Sequence, residues 1–516
     1  MMESLNRQNH PRPLRPVRIL QFGEGNFLRA FADDFISQLN EKTDFNGGVC
    51  VVQPRPHGRV RNLMEQDGLY TLLLEGKKQG TATREMRIID VIEQGIDPYT
   101  DYPALLQRAA DPQCRVIISN TTEAGIAYTD ENVTLDVCPQ SFPGKVLAVL
   151  KHRFQSLKGT PESGMDIVCC ELIERNGDTL KEIVCRKARE QGEPQAFLDW
   201  IENANRFYNT LVDRIVPGYP KDQAAALEEQ LGYHDACLVK GEIYHSWVIQ
   251  GDPALRSVLP LDQLNQNIIF TDDLAPYRDR KVAILNGAHT AMVPLGLLGG
   301  LETVKETVED PQIRRFLEAF LKEEVWPSLN FSESELKSFT HDVFERFENP
   351  DIRHELMSIS LNSIAKFNTR DLPAMRHYYD THKALAPHAC FSLAALIVLL
   401  SRRKSDGTPL ISESPEVLAC WQNWDERQPQ ATISALLQLP LWQGKLAAMN
   451  NITERLTEII RSLTTLGLRE ALKKEDLHEE NAAHPAERQC DRRAGTVIRR
   501  RNHQRNHPAG RHPLRS

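Results

Sequence analysis

The chain has 516 residues, 41% hydrophobic and 26% charged, with a net charge of -8 at pH 7. That is enough chain for one to three domains, and the composition is that of an ordinary globular protein. The mildly acidic balance disfavours nucleic acid and anionic membranes as partners. The polar, proline-rich start MMESLNRQNHPRPLRP lacks the parts of a secretory leader, and the longest apolar run, Phe391 to Leu400, is too short to span a bilayer. The ten cysteines are scattered without a C-x-x-C pair. A cytoplasmic protein with reduced core cysteines is expected.

In chain order, Val17 to Gln21 reads as a strand. Asn26 to Leu39 reads as one helix, its apolar positions Phe27, Leu28, Phe31, Phe35 and Leu39 falling near helical spacing. Gly48 to Val52, Arg115 to Ser119 and Met165 to Leu172 read as further strands. Strand-helix-strand alternation predicts a parallel sheet covered by helices. From about residue 245 the pattern turns helical: Gln312 to Glu324, Ile352 to Phe367, Ala389 to Arg403, Gln430 to Leu437 and Ile452 to Leu472. The expected division is a nucleotide-binding domain over 17–245 and a mostly helical domain over 255–473. After Lys474 periodicity stops, and from Arg488 nine arginines face one acid, Asp491. Residues 475–516 therefore read as a disordered basic tail, an extension foreign to the rest and without a part in the chemistry.

Gly23 and Gly25 follow the first strand and open the first helix, which lets backbone approach a pyrophosphate. The third glycine of a G-x-G-x-x-G turn is missing; Leu28 stands there. The fold class expected is therefore α/β, an N-terminal Rossmann-like NAD-binding domain followed by the α-helical domain. The candidate cofactor segment is Ile19, Leu20, Gln21, Phe22, Gly23, Glu24, Gly25, Asn26, Phe27, Leu28, Arg29 and Ala30. Asn120, Thr121 and Glu123 follow a later strand and would line the same crevice. The second strand runs into Gln53 and Arg55 where an acid usually binds the adenosine ribose, so the residues alone leave NAD and NADP open.

Residues 281 to 289, KVAILNGAH, set three polar side chains into an apolar stretch. On an α-helix advancing about 100° per residue, Lys281 falls at about 0°, His289 at about 80° and Asn286 at about 140°. A desolvated lysine loses its proton more easily and serves as acid and base. No metal is expected, because no cluster of His, Cys and carboxylate has ligand spacing.

Together with SNTTEAGI at 119–126, LVDRIVPGYP at 211–220 and FERFENP at 344–350, these motifs resemble the mannitol dehydrogenase family of long-chain polyol dehydrogenases, and within it the tagaturonate reductases. The resemblance covers residues 17 to 473. It implies NAD-dependent, metal-independent reduction of a keto-uronate to an aldonate, tagaturonate to altronate, in hexuronate catabolism. It implies Lys281 as acid/base, Asn176 and Asn286 as amide donors to the substrate oxygen, His289 as a substrate-orienting residue, and Asp213 and Lys366 as substrate-binding residues. Taken singly, Asn176 before Gly177 reads as a turn, Asp213 beside Arg214 as a surface pair, and Lys366 as a solvated helix residue. Polyol-oxidising members carry an Arg where this chain has Ser358, and an acid where it has Arg278. Both departures turn the expectation away from polyols, and Arg278 suits an anionic partner. Fructuronate reduction and mannitol 2-dehydrogenation are alternatives within the family. A non-catalytic NAD sensor is the alternative of another class. The sequence leaves the oligomeric state open.

Overall fold

The computed structural model describes residues 2–265 and 267–483, with side-chain surroundings up to Glu475. Eleven strands are present among them: β1 Val17–Phe22, β2 Gly48–Val52, β3 Tyr70–Lys78, β4 Thr81–Ile89, β5 Ile92–Ile96, β6 Val116–Ser119, β7 Asp166–Cys169, β8 Arg206–Asp213, β9 Val239–Glu242, β10 Ser246–Gln250 and β11 Ile268–Thr271. Eight form one sheet in the order β11-β10-β8-β7-β6-β1-β2-β5. From β5 to β8 all neighbours are parallel; β10 adds antiparallel to β8, and β11 parallel to β10. Side chains alternate between two cores: Ile19, Val49, Val51, Val116 and Ile118 enter one, and Leu20, Phe22, Cys50, Val52 and Ile117 the other. Burial on both faces explains why these strands read as continuous apolar runs.

The first unit consists of the described residues up to Asn286 together with Leu329–Arg353. It also holds a three-stranded sheet, β4-β3-β9, with no counterpart in the sequence reading. The β3-β4 hairpin turns on Gln79 and Gly80, both at positive φ (53° and 77°), as a two-residue primed turn requires. The expected helix Asn26 to Leu39 is broken into Asn26–Arg29 and Ala32–Lys42. Tyr70 Oη donates to the Arg29 carbonyl at 2.9 Å and Arg214 Nη1 to the Ala30 carbonyl at 2.6 Å, so side chains satisfy acceptors at the break. Helix Glu333–Phe347, which carries most of FERFENP, belongs to this unit and not to the helical one.

The second unit, Gly287–Ser328 with the described residues from His354 onward, is helical. Its core helix Pro387–Ser401 is buried on nearly every side. Glu324 accepts the backbone N–H groups of His388 (2.6 Å) and Ala389 (2.9 Å), a carboxylate at a helix N-terminus. The expected helix Ile352 to Phe367 is instead Leu356–Ile359 and Ser363–Arg370, separated by Asn362 at φ 54°. The expected run to Leu472 breaks at Gly467 (φ 77°), and a new helix, Leu468–Ala483, carries on past the tail boundary drawn at 475. Glu475 is buried and pairs with Arg455, so the boundary at Lys474 is corrected outward. The remainder of the expected tail, 484–516, lies outside the described residues.

The helical run Ala275–Leu298 is long and apolar enough to cross a membrane, but two-thirds of its most apolar stretch (67%) is buried within the protein. Cys50, Cys114, Cys169, Cys170, Cys185, Cys237 and Cys390 are buried thiols, and no disulfide forms among the described residues.

Candidate active site

Strand order reverses between β1 and β6, and a ligand of such a sheet sits beyond the carboxyl ends at that point. Both candidate cofactor segments emerge there. The Asn120 N–H donates to the Phe22 carbonyl at 3.1 Å, and the Gly23 N–H to the Val52 carbonyl at 3.1 Å. Gly23 has φ 132°, and a Cβ would lie 2.9 Å from the Asn120 carbonyl oxygen, so both backbone and space require glycine. At Gly25 a Cβ would meet no protein atom. Gly25 and Asn26 are exposed and open a one-turn helix, which leaves backbone N–H groups facing outward. That is the donor set a pyrophosphate needs.

The expected cofactor segment is otherwise interior. Ile19, Leu20, Phe22, Leu28 and Ala30 are core side chains that place the turn without reaching a ligand. Gln21 is buried and donates to the Gly23 carbonyl at 3.2 Å. Arg29 is buried too; its guanidinium binds the Glu24 carbonyl (3.2 Å), Asn26 Oδ1 (2.7 Å) and the Cys237 carbonyl, so it clamps the turn from behind. Phe27 is half-buried, and Glu24 accepts the Arg59 N–H. On β6, Asn120 donates to the Cys170 carbonyl at 2.6 Å. Thr121 is held through its N–H and hydroxyl by Glu171, both at 3.0 Å, while Glu123 is exposed. Glu171 also accepts from Ser119 at 3.0 Å. Burial pushes the Glu171 carboxyl up against these donors. Nothing local in sequence marks Glu171, since its side-chain partners Ser119 and Thr121 lie 52 and 50 residues away.

Lys281 lies at the start of a π-helical segment, Lys281–Asn286. This corrects the α-helical angles: bonds to i+5 put more residues in the turn and rephase everything after it, a feature frequent at functional sites. Lys281 is partly buried, its ammonium 3.4 Å from Asp213 Oδ2 and 3.4 Å from the Val212 carbonyl at the end of β8. Asp213 is no surface pair with Arg214. Arg214 turns inward to Asp34 at 2.8 Å, and Asp213 is gripped by both Nη atoms of Arg346 at 3.1 and 3.0 Å. Arg346 reaches Glu242 as well, at 3.1 and 2.9 Å, and its guanidinium lies 4.2 Å from the Tyr244 ring centroid. The result is a chain of alternating charge, Lys281–Asp213–Arg346–Glu242. Burial alone would raise the Asp213 pKa, but Arg346 and Lys281 outweigh it and hold the carboxyl below the usual range. Burial likewise opposes the Arg346 charge, and Asp213 and Glu242 overcome it. Asn286, at the far end of the π segment, is half-buried.

Asn176 is corrected outright. It is 1% exposed, its amide nitrogen donates to the carbonyls of Cys169, Glu171 and Thr210, and its oxygen accepts the N–H groups of Gly177 and Thr210. Every polar atom is taken by backbone, so Asn176 ties β7 to β8 and has no donor left for a substrate oxygen. Arg278 is corrected too: it is half-buried and paired with Glu174 and Asp279, so its charge is offset locally.

In the second unit, His289 is half-buried and packs edge-on against His354, ring centroids 5.0 Å apart. Lys366 donates to the Ile359 carbonyl at 2.8 Å, and burial lowers its pKa. Ser358 is exposed and bonded to the Glu355 carbonyl. Among the described residues one cluster with ligand geometry exists, against expectation: His341, Asp342 and Glu345 bring ligand atoms within 4.8 Å on helix Glu333–Phe347. The residues fall at i, i+1 and i+4, a spacing common on solvated helix faces and no signature of a metal site in sequence.

Residues 17–263 match the mannitol dehydrogenase Rossmann domain, and residues 273–464 the mannitol dehydrogenase C-terminal domain. The chain belongs to the mannitol dehydrogenase family. Among family members, altronate oxidoreductase of Cronobacter sakazakii is 42% identical over 479 residues, covering 91% of this chain and 99% of its own length. The Escherichia coli enzyme of the same name is 40% identical over 480 residues, covering 92% and 99%. Two solved structures share the fold: a D-sorbitol dehydrogenase (TM-score 0.74, 20% identity, 91% of this chain and 100% of that one) and mannitol 2-dehydrogenase of Pseudomonas fluorescens in complex with NAD and D-mannitol (TM-score 0.62, 23% identity, 91% and 99%).

Proposed function

We propose that this chain is an NAD-dependent reductase of a keto-uronate, converting tagaturonate to altronate reversibly. The observation that carries the reading is the contact between Lys281 and buried Asp213 at the end of β8, on the same sheet edge as the glycine turn. The altronate oxidoreductase relatives, which align with nine-tenths of the chain, supply the substrate class. The N–H groups at Gly25 and Asn26 would hold the pyrophosphate, and a bound nicotinamide would supply or accept hydride at the substrate carbon.

The protein's own part is proton transfer and orientation. Negative charge grows on the ketone oxygen during reduction. Lys281 as ammonium gives that oxygen a proton; in oxidation, neutral Lys281 takes it back. Asp213 keeps the lysine aimed, and Arg346 keeps Asp213 aimed. The Asn286 amide is the remaining candidate donor to the developing charge. His289 and Lys366 are part of the same reading as substrate-orienting and substrate-binding residues. Lys281→Ala should lower altronate-dependent NAD reduction by about two to four orders of magnitude while nucleotide affinity stays within about twofold. Near-normal turnover in that variant removes the acid/base assignment.

A further inference from the structure

A keto-uronate differs from the matching neutral ketose by its carboxylate, and a selective enzyme must read that charge. Arg278, expected to suit an anion, is paired with Glu174 and Asp279. Within the second unit two other cations stand together. Lys366 and Arg370 lie four residues apart on helix Ser363–Arg370, about 40° apart around its axis and so on one face. This helix packs against helix Gly287–Leu298, which carries His289. Arg370 Nη1 donates to Thr290 Oγ1 at 3.1 Å, which seats the guanidinium against the residue that follows His289. A guanidinium is a fork of donors, and Thr290 takes one of them. Lys366 is steadied in the same way by the Ile359 carbonyl at 2.8 Å.

Both cations are half-buried. Burial lowers the pKa of each, and the Arg370 charge lowers that of Lys366 further. Like charges on one helix face repel, more strongly as water is excluded. The neighbouring acids relieve little of this. Asp371 is 1% exposed, neither of its carboxyl oxygens has a hydrogen-bond partner among the described residues, and burial raises its pKa toward the neutral form. Glu413, the acid acting on Lys366, accepts the Ile364 N–H at 2.8 Å, and burial raises its carboxyl as well. Two cations held together against burial and repulsion favour an anionic ligand, and a carboxylate fits a guanidinium through two parallel hydrogen bonds. We propose that Arg370, with Lys366 beside it, receives the carboxylate of the keto-uronate and so sets the preference for acids over neutral ketoses. This rests on the keto-uronate reading given under Proposed function and adds to it the residue that reads the substrate's charge.

The test compares tagaturonate with tagatose, in which a CH2OH group replaces the carboxylate, as substrates for NADH oxidation by the full chain. Calorimetry in the presence of NADH compares altronate with altritol as ligands, without turnover. Arg370→Gln should lower kcat/KM for tagaturonate by about thirtyfold or more, mainly through KM, and leave tagatose within about threefold. Arg370→Lys keeps the charge but loses the fork, and should fall between. Altronate should bind the wild type more tightly than altritol, and Arg370→Gln should remove that difference. Equal losses for the two ketoses overturn the inference, since they mark a structural bond to Thr290 and no charge reading. An altronate affinity no greater than that of altritol in the wild type overturns it too. If Arg370→Gln does not fold, Arg370→Lys decides by the same ratio of ketoses. If no ketose is turned over but altronate binding depends on Arg370, the reductase reading fails and this one stands. If Arg370→Gln reduces tagaturonate with an unchanged KM, only this inference falls.

Discussion

Asp33 is a fully buried carboxyl with no charge partner at contact distance among the described residues. Its Oδ2 accepts from Tyr70 at 3.0 Å and weakly from Gln21 at 3.5 Å, while Oδ1 has no partner among the described residues. Burial raises its pKa to about 7, against the pull of Tyr70, Gln21 and Arg29. Because the folded value is above the unfolded one, the unfolded chain ionises first. Stability therefore falls as pH rises from about 4 to about 7 and is level beyond, by at most about 4 kcal/mol from this group. Asp33→Asn should flatten that slope, read as urea midpoints at about pH 5 and about pH 8. An unchanged slope would mean that Asp33 is not the titrating group. Asn176 carries the opposite lesson. The resemblance made it a donor to substrate, and the structure makes it the knot between β7 and β8. Asn176→Ala should lower stability by roughly 3 kcal/mol through unpaired backbone groups, with kcat reduced less than about tenfold in the protein that remains folded. A large kcat loss with an unaltered melting temperature would restore the catalytic role.

At the scale of elements, legibility followed locality. β1, β2, β6 and β7 were readable because they are short and mostly apolar, VRILQF, GVCVV, VIIS and DIVC. The helix Gln430–Leu437 was readable to the residue. The helix break at Ala30–Phe31 was not, because its acceptors are satisfied by Tyr70 and Arg214, which lie 41 and 184 residues away from the carbonyls they bind. The β3-β4 hairpin turns on Gln-Gly in place of the usual Asn-Gly, so its signal was weak. Period could not reveal the π segment either, since nothing in KVAILN announces one extra residue per turn. The same limit applied to the site: the glycine turn and Lys281 stand in local motifs, whereas Arg346 and Glu242 join Asp213 only through the fold. The last helix yields a test. Ending the chain at Lys474 removes buried Glu475 from Arg455, whereas ending it at Ala483 keeps the pair. The shorter chain should be less stable by about 1–3 kcal/mol, measured as melting temperature against the longer one. Equal stability would show that Glu475 contributes nothing.

At the scale of the whole molecule, the two units do not follow the expected linear division. Leu329–Arg353 returns to the first unit, and with it Arg346, which completes the ion chain behind Lys281. The glycine turn, Lys281 and Asp213 thus share one unit, and the turn and Asp213 one sheet edge. The substrate class is carried by the altronate oxidoreductase relatives. The most direct measurement is NADH oxidation by the purified chain with tagaturonate, fructuronate and fructose side by side, with Lys281→Ala as the control. Tagaturonate should show the highest kcat/KM by at least about tenfold, fructose the lowest, and the variant almost none. A preference for fructose, or turnover of tagaturonate that survives loss of Lys281, would contradict the proposed reaction.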